Sequence, residues 1–159
     1  MDPGPELLAV MEPLRGLLGT WRGSGTGVYP TIESFRYLEE VRFWHAGKPF
    51  LGYEQRTRSP DTGLPMHAES GFWRVVGPGQ IEAVLVHPSG VAEVSSGTLE
   101  GGRIHVATTV VTTTPTAKEV TAVTRTMELA GDVLAYEVHM AAVGQPLQLH
   151  LTASLERVA

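Results

Sequence analysis

The chain has 159 residues and a mass of 17.1 kDa, which suits one domain with a substantial core. It contains no cysteine, so disulfides, zinc–thiolate sites and cysteine nucleophiles are excluded, and any metal must be held by histidine, carboxylate or oxygen ligands. A net charge of -5, scattered lysines and arginines, and the lack of any apolar run of about 20 residues predict a soluble cytoplasmic protein that binds neither nucleic acid nor a membrane.

Residues 6–18 carry the helical pattern of the chain. The apolar residues that recur there at helical spacing are Leu7, Val10, Met11, Leu14, Leu17 and Leu18. Pro13 should divide the segment into two short pieces, because proline lacks the backbone N–H that a continuous helix needs. We expect this segment to cover one end or edge of the remaining structure.

The rest of the chain consists of short β-favouring runs separated by turns rich in Gly, Pro, Ser and Asp. We place about ten strands near 20–28, 35–44, 50–58, 69–76, 80–87, 91–98, 103–113, 118–129, 132–142 and 147–158. Short connections favour antiparallel neighbours, and so many strands in one sheet would leave exposed edges unless the sheet closed. The prediction is an all-β, ten-stranded up-and-down barrel spanning 1–159 as a single domain, wide enough to hold a ligand.

Several catalytic motifs are absent. The Gly-rich stretch "GTWRGSGTG" (19–27) lacks the glycine spacing and the following helix of a dinucleotide-binding loop, and "WHAGKP" (44–49) lacks the residues of a P-loop. There is no G-x-S-x-G and no H-E-x-x-H. The glycines instead predict a bent first strand, closely approached by another backbone or by a ligand.

The last predicted strand, "LQLHLTASLERV" (147–158), alternates apolar and polar residues. His150 therefore faces away from Leu149 and Leu151, and in a ligand-holding barrel we expect it to face inward. The leucines would then face outward, under the helix or against a second subunit. Gln148 and Thr152 would share the face of His150 and could orient its ring.

The other histidines do not form a local metal motif, since no two of the six sit two apart on a strand or four apart on a helix. We expect His45 and His87 to be solvated in turns, and His105 and His139 to face outward. A single histidine ligand is sufficient for a cofactor that supplies its other ligands itself, and haem is such a cofactor.

The segment "GTWRGSG" (19–25) fits the G-x-W-x-G-x-G signature of the nitrobindin family. It is followed in matching order and spacing by "YPTIESFRYLEEV", "GKPFLGYEQRT", "PMHAESGFWR", "HPSG", "PTAKEVTAVTR" and "VGQPLQLHLTASLERV". The resemblance extends from about residue 14 to the end of the chain.

This resemblance implies a barrel similar to the fatty-acid-binding proteins, with one haem b bound non-covalently through a proximal histidine on the last strand. His150 occupies that position and, by holding ferric iron, would be the catalytic residue. The implied activity is the isomerisation of peroxynitrite to nitrate together with nitric oxide binding, which limits tyrosine nitration.

The resemblance also implies further haem contacts. Thr31 matches a threonine that approaches the haem, and Met66, His67 and Met140 match residues flanking the porphyrin. Lys118 matches a lysine near the haem edge, where its ammonium could pair with a propionate. Because Met66 and His67 are adjacent and should alternate in direction, we expect at most one of them to face the distal side.

Two alternatives stay open at this stage. The same barrel could be a non-catalytic carrier of a fatty acid or another apolar ligand, because a fold does not fix a function. It could also be a sensor that binds nitric oxide at the haem without turnover.

Overall fold

The computed structural model describes residues 3–159 and shows a closed barrel of ten antiparallel strands. The strands are β1 Gly19–Tyr29, β2 Ile32–Trp44, β3 Leu51–Arg58, β4 Pro65–Gly77, β5 Gln80–His87, β6 Val91–Glu100, β7 Arg103–Thr113, β8 Val120–Ala130, β9 Val133–Ala142 and β10 Gln148–Arg157. Each strand pairs with its neighbours in the chain, and β1 pairs with β10 to close the barrel. The predicted ten-stranded up-and-down barrel is confirmed.

The N-terminal segment forms one 3₁₀ helix, Ala9–Leu17, which contains Pro13 in its interior. The expected division at this proline is therefore wrong. Met11, Leu14 and Leu17 are fully buried, and their three-residue spacing puts them on one face of a helix with three residues per turn. None of the helices in residues 3–159 has the length and apolarity that crossing a membrane requires.

The helix closes one end of the barrel and is fixed there by polar contacts. The indole nitrogen of Trp21 donates a hydrogen bond of 2.8 Å to the Leu17 carbonyl. The Arg157 guanidinium lies 4.2 Å from the centre of the Trp21 ring and donates to the carbonyls of Gly16 and Leu18. The last strand and the first strand thus hold the helix over the apolar core at this end.

The glycines of β1 make room for aromatic side chains inside the barrel. A Cβ on Gly25 would lie 2.3 Å from Cζ of Tyr37, and one on Gly27 would lie 2.1 Å from Cζ of Phe35. Both distances are far below van der Waals contact, so only glycine permits these rings to cross the strand. The expected close approach of another backbone is found at Gly23, where a Cβ would lie 2.1 Å from the Ser154 carbonyl oxygen, whereas side chains approach Gly25 and Gly27.

Interruptions of regular strand pairing are concentrated at the barrel end opposite the helix. Register shifts there leave unpaired residues in β1, β4, β7, β8 and β10, at Val28, Met66, Thr109, Thr121 and His150. A β-bulge of this kind breaks the strict alternation of side-chain direction and is common at barrel rims. This end of the barrel is therefore the one whose inward-facing residues cannot be assigned by alternation alone.

Candidate functional site

A cavity of about 560 Å³ occupies the part of the barrel away from the helix. This volume lies in the range of small-molecule and cofactor sites. The wall near β10 is mainly apolar and aromatic and includes Ile32, Phe35, Met140 and Leu151. The wall formed by β3 to β6 and β8 carries most of the charged groups, so the cavity has two chemically different sides.

His150 lines this cavity, as the sequence predicted. Its Nδ1 lies 3.0 Å from the Val28 carbonyl oxygen, which can only accept, so Nδ1 carries the hydrogen. The lone pair of the neutral ring is then on Nε2. Burial lowers the pKa of His150, and the hydrogen bond to Val28 offsets only part of this effect. Because the net pKa is lowered, the imidazole is neutral near pH 7.

Two aromatic rings pack against His150. The ring centres of Tyr29 and Phe35 lie 5.4 and 6.4 Å from that of His150, in edge-to-face arrangements. The Tyr29 hydroxyl accepts from the Ala142 N–H and so is itself fixed by β9. The imidazole is therefore held in one orientation by a backbone carbonyl and two rings.

The inward direction of His150 arises from a β-bulge and not from simple alternation. Leu149 pairs with His139 and Leu151 pairs with Val138, which leaves His150 as the extra residue. After the bulge, Leu151 also lines the cavity, so the expectation that it faces outward is wrong. The odd-numbered positions further along β10, Ala153 and Leu155, are buried in the barrel.

The side chains expected to orient the His150 ring do not do so. Thr152 is exposed on the outer side, and the Gln148 amide donates to the Pro146 carbonyl at 3.0 Å. The Val28 carbonyl has that role instead, and Val28 lies outside the pairs of β1 with both β10 and β2.

Four of the other five predicted contacts line the same cavity as His150, namely Met66, His67, Met140 and Lys118. Met66 and His67 both do so, because Met66 is the bulge residue of β4. Strict alternation would have put these two adjacent side chains on opposite faces of the strand. Thr31 is exposed in the turn between β1 and β2 and is not among the lining residues, although its neighbour Ile32 is.

A buried ion network forms the charged wall, and the sequence analysis missed it. Arg125 donates to both oxygens of Glu69, at 2.7 and 3.2 Å, and to both oxygens of Glu93, at 3.4 and 2.8 Å. The Tyr53 hydroxyl donates to Glu69 at 2.6 Å. Arg125 shares its alternating face of β8 with the buried Val123, and a charge at such a position is the signal that could have revealed the network.

Both carboxylates in this network are ionised. Burial opposes the charge on Glu69, but Arg125 and the hydrogen bonds outweigh it and bring the pKa to about 2. Burial likewise opposes ionisation of Glu93, and the Arg125 charge together with the His87 hydrogen bond holds its pKa below the usual value. Two negative groups thus surround one guanidinium.

His87 belongs to this wall, so the expectation that it is solvated is wrong. Its side chain is only 11% exposed, and its Nε2 contacts the Glu93 carboxylate. Its Nδ1 lies 3.1 Å from Nε2 of His67. The reason is the end position of β5, where His87 shares the inner face with Leu85 instead of entering the turn.

A second polar group lies around Glu39. Its carboxyl accepts from the Tyr136 hydroxyl at 2.8 Å and from the Gln55 amide at 2.6 Å. Burial raises the pKa of Glu39 to about 7, against the lowering effect of those hydrogen bonds. Tyr136 and Gln55 line the cavity, so this carboxyl stands directly behind it.

The residues present fit a haem held through His150. A neutral imidazole with a fixed tautomer and a free Nε2 is the form that ligates iron. Among the described residues, two buried polar atoms lack a hydrogen-bond partner, Gln55 Oε1 and Trp73 Nε1, and both belong to residues that line the cavity. The cavity therefore offers a metal ligand and apolar surface, and two residues of its wall have unpaired buried polar atoms.

Comparison with known proteins gives consistent results. The profile of the THAP4-like, heme-binding beta-barrel domain matches residues 10–157. The chain is 55% identical to peroxynitrite isomerase 2 of Mycobacterium marinum, over 92% of this chain and 94% of that protein. It is 54% identical to peroxynitrite isomerase 2 of Mycobacterium avium, over 98% of this chain and 97% of that protein.

A solved structure shows the same fold. The crystal structure of Rv2717c from M. tuberculosis superposes with a TM-score of 0.94 at 48% identity, covering 97% of this chain and all of that one. Because the family profile spans nearly the whole barrel and the relatives align over nearly their full length, this chain belongs to the family of THAP4-like, heme-binding β-barrel domains, the nitrobindin family.

Proposed function

We propose that this protein binds haem through His150 and isomerises peroxynitrite to nitrate. The observation that carries the proposal is the His150 imidazole, whose Nδ1–H is bound to the Val28 carbonyl and whose Nε2 is left free in a cofactor-sized cavity. The names of the mycobacterial relatives support the choice of reaction.

The chain supplies ligation, orientation and limited solvent access. The hydrogen bond to the Val28 carbonyl makes the His150 ring a better electron donor and prevents its rotation. Bound ferric haem would supply a Lewis-acid iron for the rearrangement of peroxynitrite. In this proposal His150 is catalytic as the single protein ligand, because a second histidine on the iron would block the open position.

The other predicted contacts take supporting roles in the proposal. Met66, His67 and Met140 would contact the porphyrin, and Lys118 would pair with a propionate at the opening of the cavity. Thr31 would be a contact only at the edge of that opening, since it does not line the cavity.

In this proposal the chain is a single domain that binds one haem b non-covalently. The protein is cytoplasmic, also binds nitric oxide and limits tyrosine nitration. The exposed Leu147 and Leu149 are the candidate contact of a homodimer, because they stay on the outer surface after the bulge is taken into account.

Titration of the haem-free protein with ferric haem tests the ligand. We expect a Soret band typical of histidine ligation in the unaltered protein and its loss or displacement in His150→Ala. The matched control is His105→Ala, which removes an exposed histidine of β7. Its ring contacts Thr126 of the neighbouring strand β8. A Soret band unchanged in His150→Ala would refute the assignment.

Stopped-flow measurement of peroxynitrite decay tests the reaction. We expect faster decay with the haem-loaded protein than without it, and nitrate as the product. Equal decay rates would reject the isomerase and leave the carrier or the nitric oxide sensor. Those two differ in whether the haem-loaded protein changes its spectrum when nitric oxide is added.

A further inference from the structure

Three potential metal ligands meet on the charged wall of the cavity. The His67 Nε2 lies 3.1 Å from the His87 Nδ1, and the Glu69 Oε2 lies 3.4 Å from the His87 Nδ1 and 3.9 Å from the His67 Nε2. Donor atoms on a tetrahedral zinc, at about 2.0–2.2 Å from the metal, lie about 3.3–3.6 Å from one another. The three atoms therefore already have nearly the separations of three corners of such a tetrahedron.

The tautomer of His87 suits metal binding. Its Nε2 contacts the carboxyl group of Glu93, which also accepts from Arg125. A ring that donates from Nε2 to this carboxyl group has its Nδ1 lone pair directed to the space shared with His67 and Glu69. A carboxylate on the far nitrogen is the usual support of a metal-binding histidine, since it fixes the ring and increases its basicity.

The charges around the cluster also suit a cation. The carboxyl groups of Glu69 and Glu93 both contact one guanidinium, that of Arg125, among the described side chains. The Glu69 Oε1 is taken by Arg125 and by Tyr53, at 2.7 and 2.6 Å. Its Oε2 has one longer contact with Arg125, at 3.2 Å, and keeps a lone pair for a further ligand.

The position of the cluster places it across the barrel from His150. In the ten-strand order, β5 lies five strands from β10 in either direction, and β4 is next to β5. His87 is on β5, whereas His67 and Glu69 are on β4. Both walls line the same cavity, so a molecule bound there would have His150 on one side and the cluster on the other.

We propose that His67, His87 and Glu69 form a second metal site, distinct from His150, that binds one divalent transition-metal ion such as Zn²⁺. The site has three protein ligands and one position open to the cavity, which is the arrangement of zinc sites that bind an exchangeable water or anion. Glu93 acts as a positioning residue that orients His87. The site does not rest on haem binding.

Co²⁺ is the first probe, because its tetrahedral complexes with nitrogen and oxygen ligands absorb visible light strongly. We expect the haem-free full-length chain to develop this absorption with a 1:1 end point, and we expect Zn²⁺ to displace the Co²⁺. A titration without a 1:1 end point would overturn the proposal.

Variants assign the ligands. His67→Ala removes a ligand whose side chain is 40% exposed, so the fold should persist, and Glu69→Gln keeps the shape of the side chain while removing its charge. Each should weaken metal binding by at least about tenfold, since even outer partners of metal ligands cost about 10–100-fold. Circular dichroism of both variants verifies that they are folded.

Two controls separate this site from the other histidines. His105→Ala and His150→Ala should keep the 1:1 absorption of bound Co²⁺. Loss of that absorption in His150→Ala, or its retention in both His67→Ala and Glu69→Gln, would overturn the assignment.

The haem-loaded protein completes the test. After dialysis against Zn²⁺, elemental analysis should find one zinc per chain in addition to the iron, and Glu69→Gln should lose the zinc but keep the iron. A haem-loaded chain that holds no zinc would refute a second site that coexists with haem. Failure of haem binding would leave the Co²⁺ result unaffected, so the two proposals fail independently.

Discussion

The buried carboxyl of Glu39 should make the protein less stable as the pH rises through neutrality. The residue is 4% exposed, and burial raises its pKa from the ordinary 4.5 to about 7 in the folded protein. Between pH 4.5 and about pH 7, the Glu39 carboxyl is ionised to a greater extent in the unfolded chain than in the folded one. The stability that the protonated carboxyl contributes is therefore complete below about pH 4.5 and is lost as the pH rises through about 7.

The size of this effect follows from the two pKa values. Each pH unit between the folded and unfolded pKa is worth about 1.4 kcal/mol, so the ionisation of Glu39 costs about 3 kcal/mol above neutrality. The substitution Glu39→Gln removes the ionisation and keeps a side chain of the same shape that can accept from Tyr136. In a protein of this length, about 3 kcal/mol corresponds to about 6–12 °C in Tm.

Urea denaturation of both proteins at pH 5 and pH 8 measures the difference. We expect Glu39→Gln to have nearly the free energy of unfolding of the unaltered protein at pH 5 and a clearly higher one at pH 8. The neighbouring Glu40→Gln is the control, because Glu40 is exposed and its contact with Arg22 is worth at most about 1 kcal/mol. A difference for Glu39→Gln that is the same at both pH values would refute the reasoning.

Two further substitutions test the closed end and the Gly-rich strand. Leu14→Ala should lower the free energy of unfolding, measured by urea titration, by about 2–5 kcal/mol, because it opens a cavity under the helix. The control Leu8→Ala, at an exposed position, should change it by less than about 0.5 kcal/mol. Gly27→Ala should displace the Phe35 ring, which packs against His150, and should therefore weaken haem binding in a spectroscopic titration. An unchanged haem affinity would show that the Phe35 ring has room to move.

The strand count and the candidate haem ligand were predicted from the sequence for different reasons. Turn residues recur at short intervals, and each marks a chain reversal that depends on local chemistry, so the ten strands were found with errors at their ends. The start of β4 is Pro65 and not residue 69, because pairing between Arg58 and Pro65 extends the strand. His150 was identified by the family resemblance, and its position in the cavity fits that assignment.

The members of the charged wall are far apart in the chain, so the sequence could mark Arg125 as a charge on a buried strand face but could not identify its partners. Arg125 is 56 residues from Glu69 and 32 from Glu93, and only barrel closure brings them together. His87 was misplaced for a different reason, since it is only six residues from Glu93. The local sequence of His87 indicates a turn, but its side chain is buried because it contacts Glu93 on the neighbouring strand β6.

The sequence by itself determined the number and order of the strands, the exclusion of cysteine chemistry and the helical segment, because these depend on residue type and local spacing. The tertiary structure decided which residues face inward at the open end. There, bulges at Met66 and His150 override alternation, and their positions depend on how neighbouring strands fit when the barrel closes. His150 and Leu151 both line the cavity for that physical reason, although strict alternation would place them on opposite faces.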